Sequence, residues 1–413
     1  MIFASNGGFK REMGFEATRY RAMTMHYTMK RGGAYDRFRM MLEGLLERQC
    51  EIHCLSLTPI QVNHPLYRNH VVAIPSALKR GFMAKVMTVV LFPVYGLLTG
   101  WREKVDLCIA FGPLYASLQA LPKCLLRRPM VTFVRSDLGS TCEKAAGSRL
   151  IAFIQKMVDH VGLLFSDRII TVNAVLRERI LETFEGWKRL NVDVLFNNSP
   201  EIALSGPGEV LRTRARYQIP GRAKMIVTAG FLAPAKNPEV LLKSVSKIAR
   251  DDLFLVIAGD THTTASAAYQ DALRNLIDQL GLGQRVVLTG WLEKEDLWNI
   301  FKAADLFVLP SYQEGMPNAL LEALSCETPC FGSRLPGIRD VLDDEDLLFD
   351  PSDEDALARK IGRFLSDSAF FEKVSRICLE RKRALSFDWK AKMFELVTQG
   401  MAGREAVSEG GGP

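Results

Sequence analysis

The residues best suited to chemistry lie in one stretch, Pro310-Ser-Tyr-Gln-Glu-Gly-Met-Pro-Asn-Ala-Leu-Leu-Glu-Ala-Leu324. An apolar run leads into it, Gly315 and Pro317 turn the chain, and a helix opens behind them. Glu314 falls in the loop and Glu322 in the first turns of the helix. A carboxylate can accept from a pair of sugar hydroxyls. A helix N-terminus offers unpaired N–H groups and positive potential, which suit a phosphate. One loop of this kind can hold a sugar, a phosphate and a ribose together. The plainer alternative is that both glutamates only cap or solvate the helix.

Positioning such a loop takes a layered scaffold, and the hydrophobic pattern supplies one. Strand-like apolar runs alternate with amphipathic helical runs, which predicts parallel α/β architecture. In the first half the pattern predicts a helix over 34–48 and strands over 51–57, 105–110 and 130–134. A helix over 151–165 and strands over 168–172 and 192–196 follow. Asn198 to Gly208 is rich in Pro, Gly and Ser and reads as a linker. A second series then predicts strands over 224–229, 253–258, 285–288 and 306–309. Helices over 238–249, 269–280, 297–303 and 318–324 lie between or after them. Ser352 reads as the N-cap of a further helix, with Asp355 approximating a capping box. A last helix is expected over 386–399, before a Gly-rich tail. Two such halves in tandem place a cleft between them, at the carboxyl ends of the strands.

Several segments, taken in order, resemble one family. The Glu314-to-Glu322 spacing is similar to the Glu-x7-Glu signature of retaining family-4 glycosyltransferases of GT-B fold. Val287-Leu-Thr-Gly-Trp-Leu292, Ala303-Ala-Asp-Leu-Phe-Val-Leu-Pro-Ser311, Leu255-Val-Ile-Ala-Gly-Asp260 and Phe165-Ser-Asp-Arg-Ile-Ile-Thr-Val-Asn173 resemble other motifs of that family. The resemblance runs from about Arg31 to Trp389. It implies two Rossmann-like domains facing each other across a cleft. Residues 1–200 would bind the acceptor and 201–385 the nucleotide sugar. Residues 386–413 would return a helix to the first domain and end in a disordered tail.

The resemblance also assigns roles. Glu322 would hold the ribose hydroxyls, and Glu314 would contact the donor sugar near its reacting face. Backbone amides of Gly315, Met316, Pro317, Asn318 and Ala319 (proline lending only its carbonyl) would line the sugar and phosphate. Trp291 and Leu292 would face the nucleotide base. Lys236, in Gly230-Phe-Leu-Ala-Pro-Ala-Lys-Asn237, would neutralise the departing diphosphate. Gly32 and Gly33 would let the diphosphate approach the backbone. The chain departs from the family in two places. Phe231 stands where an arginine is common, so Arg334, Arg339 or a first-domain residue would have to supply that charge. Arg135-Ser136-Asp137 stands where His-Asp is common, which makes Asp137 a catalytic candidate.

The implied reaction is retaining transfer of a sugar from a nucleotide-sugar donor, UDP- or GDP-linked, to a saccharide or lipid-linked saccharide. The variant Glu-Gly-Met-Pro-Asn resembles members that build bacterial surface polysaccharides. No metal or other cofactor is expected. The Asp344/Asp346 and Asp353/Asp355 pairs read as caps and solvated charge. Alternatives are a nucleotide-sugar epimerase or a non-catalytic nucleotide-sugar-binding subunit of a polysaccharide assembly complex.

Composition sets the outer bounds. A chain of 413 residues suits about two domains. It has 48% hydrophobic and 24% charged residues, ordinary globular usage. Most of the eight cysteines lie in apolar runs and read as free thiols of a reduced, cytoplasmic compartment. Residues 1–200 carry 27 Lys and Arg against 16 Asp and Glu, while the remainder carries 26 against 31. A basic first half suits an anionic membrane surface or an acidic acceptor. No basic–aromatic motif points to nucleic acid. No secretory leader and no transmembrane helix are expected. The apolar run from Phe82 to Leu98 reads either as a buried docking helix or as a membrane-surface helix at the inner face.

Overall fold

A computed structural model describes residues 20–26, 32–73, 81–135, 149–186, 190–260 and 267–408. Two parallel sheets organise it. The first has the order β3-β2-β1-β4-β5-β6-β7, from Arg21–Met25 (β1), Glu51–Ser56 (β2), Tyr67–Val71 (β3), Leu107–Phe111 (β4), Met130–Val134 (β5), Arg168–Thr171 (β6) and Val192–Val194 (β7). The second has the order β10-β9-β8-β11-β12-β13, from Lys224–Ala229 (β8), Leu253–Ala258 (β9), Val286–Gly290 (β10), Leu306–Leu309 (β11), Cys330–Ser333 (β12) and Leu348–Phe349 (β13). In both sheets the strand order reverses beside the first strand of the domain. Crevices at such switch points open at the strand carboxyl ends, and the two openings face each other here.

Helices cover the first sheet on both faces. Gly33–Leu46 (α1) packs on one face, burying Phe38, Met41, Leu42 and Leu45 against Ile52, Ile109 and Val131. Gly81–Arg102 (α2) and Pro113–Leu126 (α3) cover the other face, where Phe92 and Leu118 meet Met23, Met25 and Ala110. Arg149–Phe165 (α4) packs beside α3. Ala174–Thr183 (α5) follows β6, and Pro207–Arg216 (α6) opens the second domain with Pro207 in its first turn. Pro238–Ser246 (α7), Ala267–Gln279 (α8), Lys294–Ala303 (α9), Asn318–Ser325 (α10), Pro336–Leu342 (α11), Glu354–Ser366 (α12) and Ser368–Ala384 (α13) complete that domain. The chain then crosses back. Trp389–Ser408 (α14) packs on α1, placing Trp389, Met393 and Val397 in the core of the first domain.

Several local expectations are corrected. The region Met1 to Lys30 reads as irregular, yet β1 lies within it and sits at the centre of the first sheet. Ala, Met and Thr alternate there with little intrinsic strand signal, and the strand forms because β2 and β4 pair with it from both sides. The cap of α12 is Asp353, whose side chain accepts from Ala356 N, not Ser352. Ser352 instead donates to Asp350. The last helix begins at Trp389 rather than Ser386, where Asp388 accepts from Ala391 N at 2.9 Å. The run Phe82–Leu98 lies within α2, which buries Phe92 and Thr88 and leaves its opposite side in solvent. Among the described residues no helix is long and apolar enough to cross a membrane.

The first domain carries a buried titratable group at the end of its central strand. His26, just past β1, stacks on Phe38 at 4.5 Å and Tyr115 at 5.4 Å between centroids. Its Nδ1 has no hydrogen-bond partner among the described residues. Burial holds its pKa down to about 4. The native state thus keeps His26 neutral while the unfolded chain protonates it near pH 6.5. Its contribution is fully present above that pH and is lost as pH falls toward 4, by about 3 kcal/mol in all. Urea unfolding of the wild type should weaken over this window, and His26→Phe should flatten the decline. An equal decline in the variant would remove His26 as the cause.

Candidate functional site

The cleft between the sheets has a volume of about 640 Å³, within the usual range for ligand pockets. Its second-domain wall is the loop after β11. Lys236, in the turn after β8, and Glu314 meet there, with Nζ 2.5 Å from Oε1. Ser311 Oγ donates to the same oxygen at 2.9 Å. The carboxylate is nearly enclosed, with 11% of its side chain exposed, and the lysine is 30% exposed toward the cleft. Oε2 has no hydrogen-bond partner among the described residues, so it can accept from a further donor. The pairing joins positions 78 residues apart.

Behind that loop, α10 starts at Asn318 with Pro317 as its N-cap. No side chain caps it and no acidic residue lies in its first turn. Its leading N–H groups therefore favour an anion. Glu322, one turn inside, is 9% exposed. Burial pushes its pKa up, Lys294 opposes this, and Asp36 reinforces it. Lys294 Nζ lies 3.8 Å from Glu322 and 3.3 Å from Asp36 of the first domain. Lys294 is not conspicuous in the sequence, because it looks like one more surface lysine at a helix start.

The first domain meets this loop through polar contacts that no sequence motif announces. Arg37, on the buried face of α1, donates through Nε to Asn318 Oδ1 at 3.2 Å. Its two Nη atoms donate to Asn198 Oδ1 at 2.6 Å and Asn198 O at 2.8 Å. Asn318 Nδ2 donates to Gly33 O at 2.9 Å, and Asn197 Nδ2 to Asn318 Oδ1 at 3.0 Å. The Asn318 side chain therefore joins the domains. Met316 likewise turns its side chain away, its Sδ accepting from Asn197 N at 2.9 Å. Asn173 caps α5 through Oδ1 and donates through Nδ2 to Gly315 O at 2.8 Å. An Arg on the apolar side of an amphipathic helix was the available signal for Arg37; the asparagines had none.

At Gly315 the two backbones come close. A Cβ built there would stand 2.2 Å from Arg135 O. Gly315→Ala should therefore push the loop from the first domain at a cost of about 1–3 kcal/mol. Urea unfolding checks the size; an unchanged midpoint would mean the contact relaxes freely. Gly32, at φ 100°, gives the same closeness on the other wall, with the Phe231 ring 2.9 Å from its built Cβ.

The two departures from the family pattern take definite form. Phe231 stacks on Trp291, with centroids 5.3 Å apart and planes at 27°. Trp291 and Leu292 both line the cleft. Arg334 and Arg339 do not; both pair with Glu345, at 2.9 and 2.8 Å. The first domain supplies a cation instead. Arg135 lines the cleft over the Phe111 ring, 5.3 Å from its centroid. Burial, and then the like charge of Arg37, hold its pKa down to about 9. It forms no salt bridge among the described residues, so a bound anion would relieve its desolvated charge. Asp137 lies outside the described residues. Asp344 and Asp353 accept backbone N–H groups as caps, while Asp346 and Asp355 pair with Lys373 and Lys247.

Two Rossmann-like domains facing each other across such a cleft are the GT-B architecture. Residues 210–381, which make up most of the second domain, match the family model described as Glycosyl transferases group 1. Similar sequences include a D-inositol 3-phosphate glycosyltransferase of Mycolicibacterium smegmatis, 29% identical over 45% of this chain and 40% of that protein. An uncharacterized glycosyltransferase of Methanocaldococcus jannaschii is 30% identical over 52% of this chain and 55% of its own length. The match thus spans about half or less of these curated relatives. Whole-chain likeness appears in the fold. Sucrose-phosphate synthase from Thermosynechococcus elongatus superposes with a TM-score of 0.73 at 19% identity, covering 95% of this chain and 100% of that one. Anabaena HepE in complex with UDP gives 0.70 at 16%, covering 94% and 100%.

Proposed function

We propose that this protein is a retaining glycosyltransferase that moves a sugar from a nucleotide-sugar donor to a saccharide or lipid-linked saccharide, in cell-surface polysaccharide assembly. The observation that carries this reading is the Lys236–Glu314 pair beside the uncapped start of α10, with buried Glu322 one turn on. The arrangement offers a cation for a diphosphate, an acceptor for sugar hydroxyls and a second carboxylate for a ribose diol. The family match of the second domain supports glycosyl transfer. The UDP and UDP-glucose complexes of HepE favour a UDP-sugar donor.

In the proposed reaction the bond from the anomeric carbon to the leaving phosphate oxygen breaks. The acceptor hydroxyl attacks the same face, and its proton passes to that phosphate oxygen. Lys236 and the α10 N-terminus stabilise the charge on the diphosphate, with Arg135 as the first-domain cation. Glu314 orients the sugar through Oε2. These groups provide the charge that the step requires, so the reading assigns no divalent metal. Retention then needs no carboxylate nucleophile of the glycosidase kind.

The test has two parts. UDP-, GDP-, ADP- and CMP-sugars are compared for thermal stabilisation of the purified protein. A donor at 100 times its dissociation constant should add about 2.7 kcal/mol. The stabilising donor is then offered saccharide acceptors in the presence of EDTA, and the product's anomeric configuration is read by NMR. No stabilisation by any donor would refute the site. Donor binding without transfer would favour a binding subunit, and an inverted product would refute the mechanism.

A further inference from the structure

The structure leaves one face of the first domain unusually apolar. Nineteen large hydrophobic residues are exposed among the described residues, and thirteen of them lie on α2, α3 and α4. These helices are neighbours, α2 against α3 and α3 against α4. On α2, Val94, Leu98 and Trp101 stand one turn apart and are 49%, 57% and 75% exposed. Leu125 of α3 is 61% exposed, and Phe153 and Met157 of α4 are 62% and 51% exposed. Helices that cover a sheet normally turn such residues inward. An apolar surface contributed by three adjacent helices marks an interaction site.

The charge on this face identifies its partner. The three helices contain five Lys and Arg but only one acidic residue, Asp159. Asp159 is buried and accepts from Gln155. Exposed cations ring the apolar residues. Lys156 lies within α4, Arg102 and Lys104 lie at the end of α2, and Arg127 follows α3. Glu103 is paired with Arg102 at 3.3 Å. Apolar side chains flanked by Lys104, Arg127 and Lys156, which form no salt bridge among the described residues, suit the headgroup region of an anionic bilayer. Tyr95 and Trp101 add amphipathic rings of the kind that settle at that depth. A second copy of the chain fits poorly, because a two-fold contact through this face would bring Lys104, Arg127 and Lys156 of both copies together, with Glu103 already engaged by Arg102.

We infer that the α2–α3–α4 face docks this protein on an anionic phospholipid surface, with Trp101, Leu125 and Phe153 in the acyl boundary. The inference is independent of the reaction proposed for the cleft. The three helices follow β3, β4 and β5, so each begins on the side where the strands open into the cleft. Phe153 stands in the first turns of α4, at that end, whereas Trp101 and Leu125 stand in the last turns of α2 and α3, at the other.

The full-length protein is sedimented with vesicles of phosphatidylcholine alone and of phosphatidylcholine mixed with phosphatidylglycerol. The wild type should bind the mixed vesicles, bind neutral ones about tenfold or more weakly, and release as salt rises. Trp101→Ser combined with Leu125→Ser and Phe153→Ser should weaken vesicle binding about tenfold or more, with its circular dichroism and donor-induced stabilisation unchanged. Lys156→Glu with Arg127→Glu, a variant that spares the apolar residues, should lose the preference for anionic lipid. Wild-type protein that stays in the supernatant with both vesicles would overturn the inference. A dimer in analytical ultracentrifugation that the triple substitution dissociates would also overturn it, and would assign the face to a second copy.

Discussion

Lys236→Ala is expected to lower kcat for sugar transfer by about 10²–10³-fold, the usual effect of removing one fixed charge from a developing anion. The lysine is held where it is needed, by a 2.5 Å contact to Glu314 in the cleft wall. Its removal has two parts. The leaving diphosphate loses a cation, and Glu314, largely enclosed, keeps only Ser311 as a donor among the described residues. The first part acts mainly in the transition state, so kcat should fall more than donor affinity does. Steady-state kinetics with the stabilising donor separates the two. A kcat within about twofold of wild type would remove Lys236 from the reaction. Lys236→Arg keeps the charge but not the compact ammonium, and should recover only part of the rate.

Glu322→Ala is the second large effect, and it falls on binding. Hydrogen bonds to a charged group are worth about 1.5–3 kcal/mol each, so loss of two from a ribose diol should weaken donor binding by 10²-fold or more, on the order of 3–6 kcal/mol. Stabilisation by donor at concentrations that saturate the wild type should then disappear. The protein without donor should behave differently. Glu322 is buried and its pKa is pushed up, so the fold bears a desolvation cost for this carboxylate. Lys294 retains Asp36 as a partner at 3.3 Å when Glu322 is gone. The melting temperature without donor should therefore stay level or rise. A glutamate that only braced Lys294 and α10 would give the reverse pattern, lower intrinsic stability with the donor response intact. That outcome would sink the ribose assignment.

The fold was largely legible because its strands carry their burial in their own residues. Lys224–Ala229, Leu253–Ala258 and Leu306–Leu309 are apolar runs between turn signals, and the structure gives them those bounds. β1 was not legible, because Arg21–Met25 becomes a strand only when β2 and β4 flank it. The helix caps at Asp353 and Asp388 were misplaced by short margins, since neighbouring Ser and Asp residues compete for the same backbone N–H groups.

The sequence by itself determined the alternation of elements, the two-domain plan, and the residue types at Glu314, Glu322 and Lys236. The first two follow from local periodicity, Glu314 and Glu322 from a short motif within one loop and helix, and Lys236 from the family resemblance of the segment 230–237. Tertiary structure alone decided how the cleft is assembled. It joined Lys236 to Glu314, tied Arg37, Asn173 and Asn197 to the loop from Gly315 to Asn318, and stacked Phe231 on Trp291. It also placed Arg135 in the cleft and left the outer sides of α2, α3 and α4 uncovered. Arg37 and Asn318 are 281 residues apart. Periodicity records which side of an element is apolar, but it does not record which distant element supplies a hydrogen-bond partner or covers that side. Those assignments depend on how both sheets pack, and so they appear only once the chain has folded.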